Sequence, residues 1–136
     1  MKEVTVQALP ENLQPVLNFV NAELEALDCP MKKQMQIGMA VEEIYMNIAN
    51  YAYHPGKGEV LVRCEAGGDP LQVTVQFVDS GKPFNPLEKK DPDITLTAEE
   101  RDIGGLGLYL VKKIIHKVTY EYLDGKNILS IQEDIG

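Results

Sequence analysis

The sequence has no tryptophan and only two cysteines and two histidines among its 136 residues. Cys29 and Cys64 lie far apart and show no C-x-x-C or Cys/His spacing, so neither a disulfide framework nor a zinc site is implied. They read as two reduced thiols. Long apolar runs are missing too. Nothing is long enough to span a bilayer, and the N-terminal MKEVTVQALP alternates apolar and polar residues where a signal peptide would be continuously apolar. Both absences point to a cytoplasmic protein with no membrane partner. Cations are scarce: 13 Lys and Arg stand against 21 Asp and Glu, a formal net charge of −8, and no basic block stands out. Nucleic acid is therefore not expected as a partner, because neutralising its phosphates needs clustered cations. A phosphorylated small molecule is not excluded, since local donors, a helix N-terminus and a divalent cation decide that.

What is present fits one domain over residues 1–136, with 44% hydrophobic and 25% charged residues. Residues 2–8 alternate as a strand, with Val4, Val6 and Ala8 on one side. A helix is expected over 12–27, carrying the stripe Leu13, Val16, Leu17, Val20, Leu24 and Leu27. Pro30 breaks it. A second helix is expected over 31–53 and stops at the His-Pro-Gly-Lys-Gly run of 54–58. Strands follow at 59–65 and 71–79, around a turn at 66–70. In the latter strand Leu71, Val73, Val75 and Phe77 face one way, and Gln72, Thr74 and Gln76 the other. Periodicity then dissolves over 80–103, where prolines and charges suggest a long loop of the kind that forms lids, with a short helical turn at 97–101. Glycines at 104–107 lead into a helix over 108–116. A hairpin over 119–123 and 127–133 turns at Asp124-Gly125. The order implies an α+β fold: a two-layer sandwich with helices on one face of a mixed, or else antiparallel, sheet.

Three polar features interrupt this apolar plan. Glu43 and Asn47 are four apart and share a helical face, with Asn50 a turn further. One apolar stripe is Ile37, Val41, Ile44 and Ile48; Met35, Met39 and Met46 form another on a different side. The polar strip between them is either a solvent-facing edge or the lining of a pocket. In a pocket, Asn47 would offer an amide oxygen to Mg2+, and Glu43 would orient or deprotonate a hydroxyl nucleophile. Glu42 points elsewhere. Asp79 shares the inward parity of Val73, Val75 and Phe77. It either caps the Ser80-Gly81 turn or accepts a hydrogen bond from an adenine amino group, with Gly81 allowing close approach. The Gly-rich run before the last helix is either a flexible turn or a phosphate cradle.

Together these residues resemble a known family. Glu43-x-x-x-Asn47 is similar to the N box of GHKL (Bergerat-fold) ATP-binding domains. Asp79-Ser-Gly81 resembles their first glycine box, and Gly104-Gly-Leu-Gly-Leu-Tyr-Leu110 the second. Ala40-Val-Glu-Glu43, the stretch from Asp79 to Pro86 and the second glycine box are most similar to the anti-sigma factor serine kinases. The resemblance implies that Mg-ATP binds between the helical layer and the lid. It makes Glu43 the catalytic base, Asn47 the Mg2+ ligand and Asp79 the adenine-reading acid. Asn50, Gly81, Phe84, Gly104, Gly105, Leu106, Gly107 and Leu108 complete the implied nucleotide-binding set. It also implies a serine on an anti-sigma-factor antagonist as substrate, a sigma factor as the sequestered partner, and a homodimer. Pro83 and Ile103 stand where many GHKL proteins carry glycine, which weighs against a general ATPase or a sensor-kinase fragment. Neither His54 nor His116 lies on a dimerisation helix. Two alternatives remain: a non-catalytic module that uses ATP to shape a partner surface, and a detached domain that phosphorylates histidine elsewhere. Glu43 favours chemistry.

Overall fold

Alternation of apolar and polar residues builds the sheet, and its order places the polar residues of interest. A computed structural model describes residues 2–85 and 105–135, with backbone only at 105–109. Five strands form one sheet: β1 (Lys2–Gln7), β2 (Glu59–Gly67), β3 (Gln72–Asp79), β4 (Lys117–Leu123) and β5 (Lys126–Asp134). Their order is β1-β2-β3-β5-β4, and every neighbouring pair is antiparallel. The mixed pairing that the element order allowed is not realised. The chain leaves β3, forms α3 (Gly105–Ile114) and β4, and returns to lay β5 between β3 and β4. The return is a tight Asp-Gly hairpin: Asp124 and Gly125 both have positive φ, 53° and 75°, as a type I′ turn requires.

One face of the sheet is apolar and covered by helices. Val60 and Val62 of β2, Val73, Val75 and Phe77 of β3, and Leu129 and Ile131 of β5 are buried there. Against them pack Val16, Val20 and Leu24 of α1 (Leu13–Ala26), with Leu13, Leu17 and Leu27 partly buried around them. The other face is wet. In one row across four strands, Arg63 pairs with Glu3 (3.2 Å) and donates to Gln76 (3.3 Å), which donates to Ser130 (3.2 Å). A one-residue slip would bury this polar row, so it and the apolar face specify the same register.

Helix α2 (Met31–Asn47) buries Ile37, Ala40, Val41, Ile44 and Tyr45. The methionines differ from expectation. Met31, Met35 and Met39 are 68%, 67% and 48% exposed, and only Met46 packs partly against the core. The helix also does not run on as α to residue 53. It changes at Ile48–Ala52 into a π turn, a local widening that often marks functional sites. Helix α3 begins earlier than the glycines suggested, so Gly105 and Gly107 lie inside its first turn. Both thiols are free, and burial pushes that of Cys64 up to about 11. Among the described residues, no helix is long and apolar enough to cross a membrane. Residues 86–104, with most of the expected lid and Gly104, lie outside the described residues.

Tyr45 ties the layers together. Its ring is fully buried, and its hydroxyl donates to the carbonyls of Leu9 (2.6 Å) and Gln7 (3.1 Å), fixing α2 to the end of β1. Tyr45→Phe keeps the ring and strands those carbonyls, so it should cost about 1–2 kcal/mol. Urea denaturation should show a lower midpoint with an unchanged m-value; an unchanged midpoint would show that the tether contributes nothing.

Candidate functional site

The final turns of α2 present the first pair. Asn47 donates through its side-chain nitrogen to the backbone carbonyl of Glu43 (2.9 Å) and, at 3.5 Å, to the Glu43 carboxylate. This is an i to i+4 contact that an α-helix makes available. It spends the amide donors and leaves the Asn47 carbonyl oxygen without a hydrogen bond among the described residues. That oxygen is the atom a hard cation prefers. Glu43 is half-buried. Burial, and secondarily the neighbouring charge of Glu42, push its carboxyl above the usual range. A cation held by Asn47 would oppose that shift. Glu42 is exposed and turned away, and Asn50, in the π turn, is exposed as well.

Asp79, the last residue of β3, is only 6% exposed. Its Oδ1 accepts from the backbone N–H of Gly81 (2.9 Å) and from the side-chain amide of Asn127 (3.0 Å). Its Oδ2 accepts no hydrogen bond among the described residues. The turn-capping reading is the one observed, through Oδ1, and Oδ2 is left as an open acceptor among the described residues. Burial raises the Asp79 pKa, opposed by the bonds from Asn127 and Gly81. A second buried acid shows the contrast. Glu133 pairs with Lys33 through one oxygen (3.0 Å) and accepts from the His116 N–H through the other (3.0 Å), so it is spoken for on both sides.

The two pairs are tied by the π turn. Ala52 accepts from the Lys82 N–H (3.0 Å). Tyr53 donates to the Glu59 carbonyl (2.6 Å) and accepts from the Ser80 N–H (2.7 Å). The strap after β3 is thus held against the end of α2. This gives Gly81 a role the sequence did not reveal: a Cβ there would lie 2.3 Å from the Ala52 carbonyl oxygen. Glycine is required by backbone against backbone, whatever else approaches.

Asn127 was not singled out from sequence. It is the register partner of Asp79 across β3 and β5 and is 6% exposed. Its amide nitrogen donates to Asp79 and to the Lys82 carbonyl (2.8 Å). Its oxygen accepts from the Phe84 N–H (3.1 Å) and from the Tyr120 hydroxyl. The available signal was parity: Asn127 falls in step with Leu129 and Ile131, so a polar side chain occupies an inward position. Phe84 joins the site through its backbone, and its ring is exposed. Gly105, Leu106, Gly107 and Leu108 form the start of α3.

Comparison with known proteins gives the family. The chain belongs to the histidine kinase-like ATPase domain family, which it matches over residues 6–132. ATP binding is what membership in this family implies. Its relatives place it on the anti-sigma factor serine kinase branch of the GHKL proteins. It is 24% identical over 93 residues to the serine/threonine-protein kinase BtrW of Bordetella bronchiseptica, covering 68% of this chain and 65% of that protein. It is 26% identical over 132 residues to the serine-protein kinase RsbW of Bacillus subtilis, covering 93% and 81%. It is 22% identical over 129 residues to an anti-sigma F factor of Thermoanaerobacter, covering 95% and 89%. The chain thus spans just under two thirds of the length of BtrW.

The crowding at Gly81 predicts opposite signs for two Gly→Ala changes. Gly81→Ala should destabilise the fold by about 1–3 kcal/mol and speed hydrogen exchange at the Lys82 amide. Gly38→Ala, inside α2 with nothing within 4 Å of the new Cβ, should stabilise by about 0.5–1 kcal/mol. Thermal unfolding of the two variants tests both; equal effects would remove the close approach as the reason for Gly81.

Proposed function

We propose that the chain is a Mg-ATP-dependent protein-serine kinase that acts as an anti-sigma factor by partner switching. The observation that carries this reading is the Glu43–Asn47 contact: it spends the Asn47 amide donors and leaves its carbonyl oxygen without a hydrogen bond among the described residues, on the same helical face as the Glu43 carboxylate. When bound, ATP supplies the phosphoryl group and Mg2+ the charge neutralisation on which phosphoryl transfer mainly depends. Asn47 holds the cation through its carbonyl oxygen. Asp79 accepts the adenine amino group on its open oxygen. The backbone N–H groups of Gly105 and Gly107, at the start of α3, face phosphate with the favourable end of the helix dipole. Glu43 accepts the proton of a serine hydroxyl as that oxygen is brought to the phosphorus. The relatives' names support a serine on an antagonist protein as substrate and a sigma factor as the sequestered partner. The family resemblance supports a homodimer in the cytoplasm as the working unit.

A second reading has its own observation. Glu43 contacts the Asn47 side-chain nitrogen through its carboxylate at 3.5 Å, and its role can end at orienting Asn47. In that case the domain binds ATP to shape a partner surface and transfers no phosphate.

Phosphate transfer to antagonists from the same source, with radiolabelled ATP and phospho-residue analysis, separates the two. Glu43→Gln should bind ATP nearly as well as the parent chain and transfer phosphate about 10²–10⁴-fold more slowly. Asn47→Ala should weaken the Mg2+ dependence of binding itself. In the parent chain the transfer rate should fall as pH drops far enough to protonate Glu43, because protonation removes the base. Transfer by Glu43→Gln at the parent rate rules out the role given to Glu43. No phosphoserine on any antagonist moves the assignment to the binding module.

A further inference from the structure

A buried carboxylate has two oxygens that rotation about its terminal bond can exchange, and it is neutral or charged according to its neighbours. Something must therefore fix which oxygen of Asp79 faces the nucleotide and in which state. We propose that Asn127 is the positioning residue that aims Asp79, and that it thereby sets the preference for an amino group over a carbonyl on the base. This rests on the reading of Asp79 as the adenine acceptor.

Five contacts, including a 3.5 Å one from its nitrogen to the Gly81 carbonyl, determine the orientation of the Asn127 amide. Its oxygen accepts from the Phe84 N–H and from the Tyr120 hydroxyl, and its nitrogen donates to the Lys82 carbonyl and to Asp79 Oδ1. Turning the amide over would set its oxygen against the Lys82 carbonyl and the Asp79 carboxylate, and its N–H groups against the Phe84 N–H. Mismatches of this kind leave buried polar groups unsatisfied, which is strongly unfavourable. The amide is therefore fixed with its donor toward Asp79. The Gly81 N–H adds a second donor to the same oxygen. With both donors on Oδ1, Oδ2 is left as a pure acceptor. An acceptor in a buried site takes the exocyclic amino group of adenine and rejects the carbonyl of hypoxanthine or guanine, which leaves two lone pairs opposed. The same amide spans Lys82 and Phe84, so the strap and the base-reading carboxylate share one support.

Several titratable or charged residues lie on the elements packed around Asp79. Tyr53 lies on the α2 side, with its phenol pushed up chiefly by burial. Tyr120 comes from β4, Lys82 from the strap, and Glu59 from the start of β2. On the β2 side its register partner is the apolar Val60. A phenol is neutral through the acidic to neutral range, so the carboxyl of Asp79 is the group that titrates against the base there.

Asn127→Asp keeps the shape and the acceptor for Phe84 and Tyr120 and replaces the donor facing Asp79 with an oxygen. In the parent chain, ATP affinity should fall as pH drops, because protonation removes the acceptor. In Asn127→Asp, two carboxylates oppose each other at neutral pH, and ATP affinity should be lower by roughly 10- to 100-fold. As pH drops, the new carboxyl takes up a proton and donates it to Asp79. Affinity should then rise, and the sign of the pH dependence should invert. Calorimetric titrations across the acidic to neutral range read this directly. A variant that loses affinity but keeps the parent sign overturns the inference, because a merely structural Asn127 behaves that way. So does one that binds like the parent.

Should that variant not fold, Asp79→Asn in the native chain provides a second test. Its carboxamide must give its oxygen to Gly81 and Asn127 and turn its N–H toward the base, so it should prefer inosine triphosphate over ATP. Equal loss of both nucleotides refutes the aiming role. If the parent chain itself does not discriminate between the two nucleotides, the adenine reading of Asp79 fails and this inference falls with it. If the parent discriminates but the variants behave otherwise than stated, only the inference falls.

Discussion

Burial of one carboxylate governs the arrangement around the site. Asp79 ends a strand whose inward positions are otherwise apolar, and a charge placed there needs partners. Two are supplied, by the strap that follows it and by the neighbouring strand, and both go to the same oxygen. Glu133, a few residues from the other end of the same strand pair, shows the alternative outcome. There a lysine and a backbone N–H take one oxygen each, and nothing remains for a ligand. What separates these two buried acids is the distribution of donors over two oxygens, not the degree of burial.

That carboxylate reaches the other candidate pair only through the irregular end of α2. A regular helix would carry residues 48–53 along a different path. The π turn instead presents the Ala52 carbonyl and the Tyr53 hydroxyl to the strap. The absence of a side chain at Gly81 makes the contact feasible. The Glu43–Asn47 pair on a helix and Asp79 on a strand are thus brought into one assembly by backbone contacts.

Much of this was legible in the sequence, for physical reasons. Period-2 alternation fixed β3 and the inward direction of Asp79, and period-3.6 stripes located α1 and the buried side of α2. The boxes around Glu43, Asp79 and the second glycine run identified the family. Three features were not legible. Helical spacing alone does not tell a buried methionine row from an exposed one, because Met is apolar in either setting; Met31, Met35 and Met39 face outward. The switch from α to π at Ile48 depends on tertiary contacts with the strap, which periodicity does not carry. Asn127 was hidden because an asparagine beside an Asp-Gly turn is ordinary turn chemistry. Its burial comes from pairing with a strand far away in sequence.

That separation also shapes how the site comes into being. Asp79 and Asn127 are 48 residues apart, and between them the chain must leave the sheet, build a helix and an edge strand, and return to the middle. The entropy of closing so long a loop is met only when the whole sheet is assembled. The Asp79–Asn127 contact consequently cannot be organised in a half-folded chain. The polar cluster around Asp79 is in this sense a property of the completed topology, and it reports that the last strand has found its place.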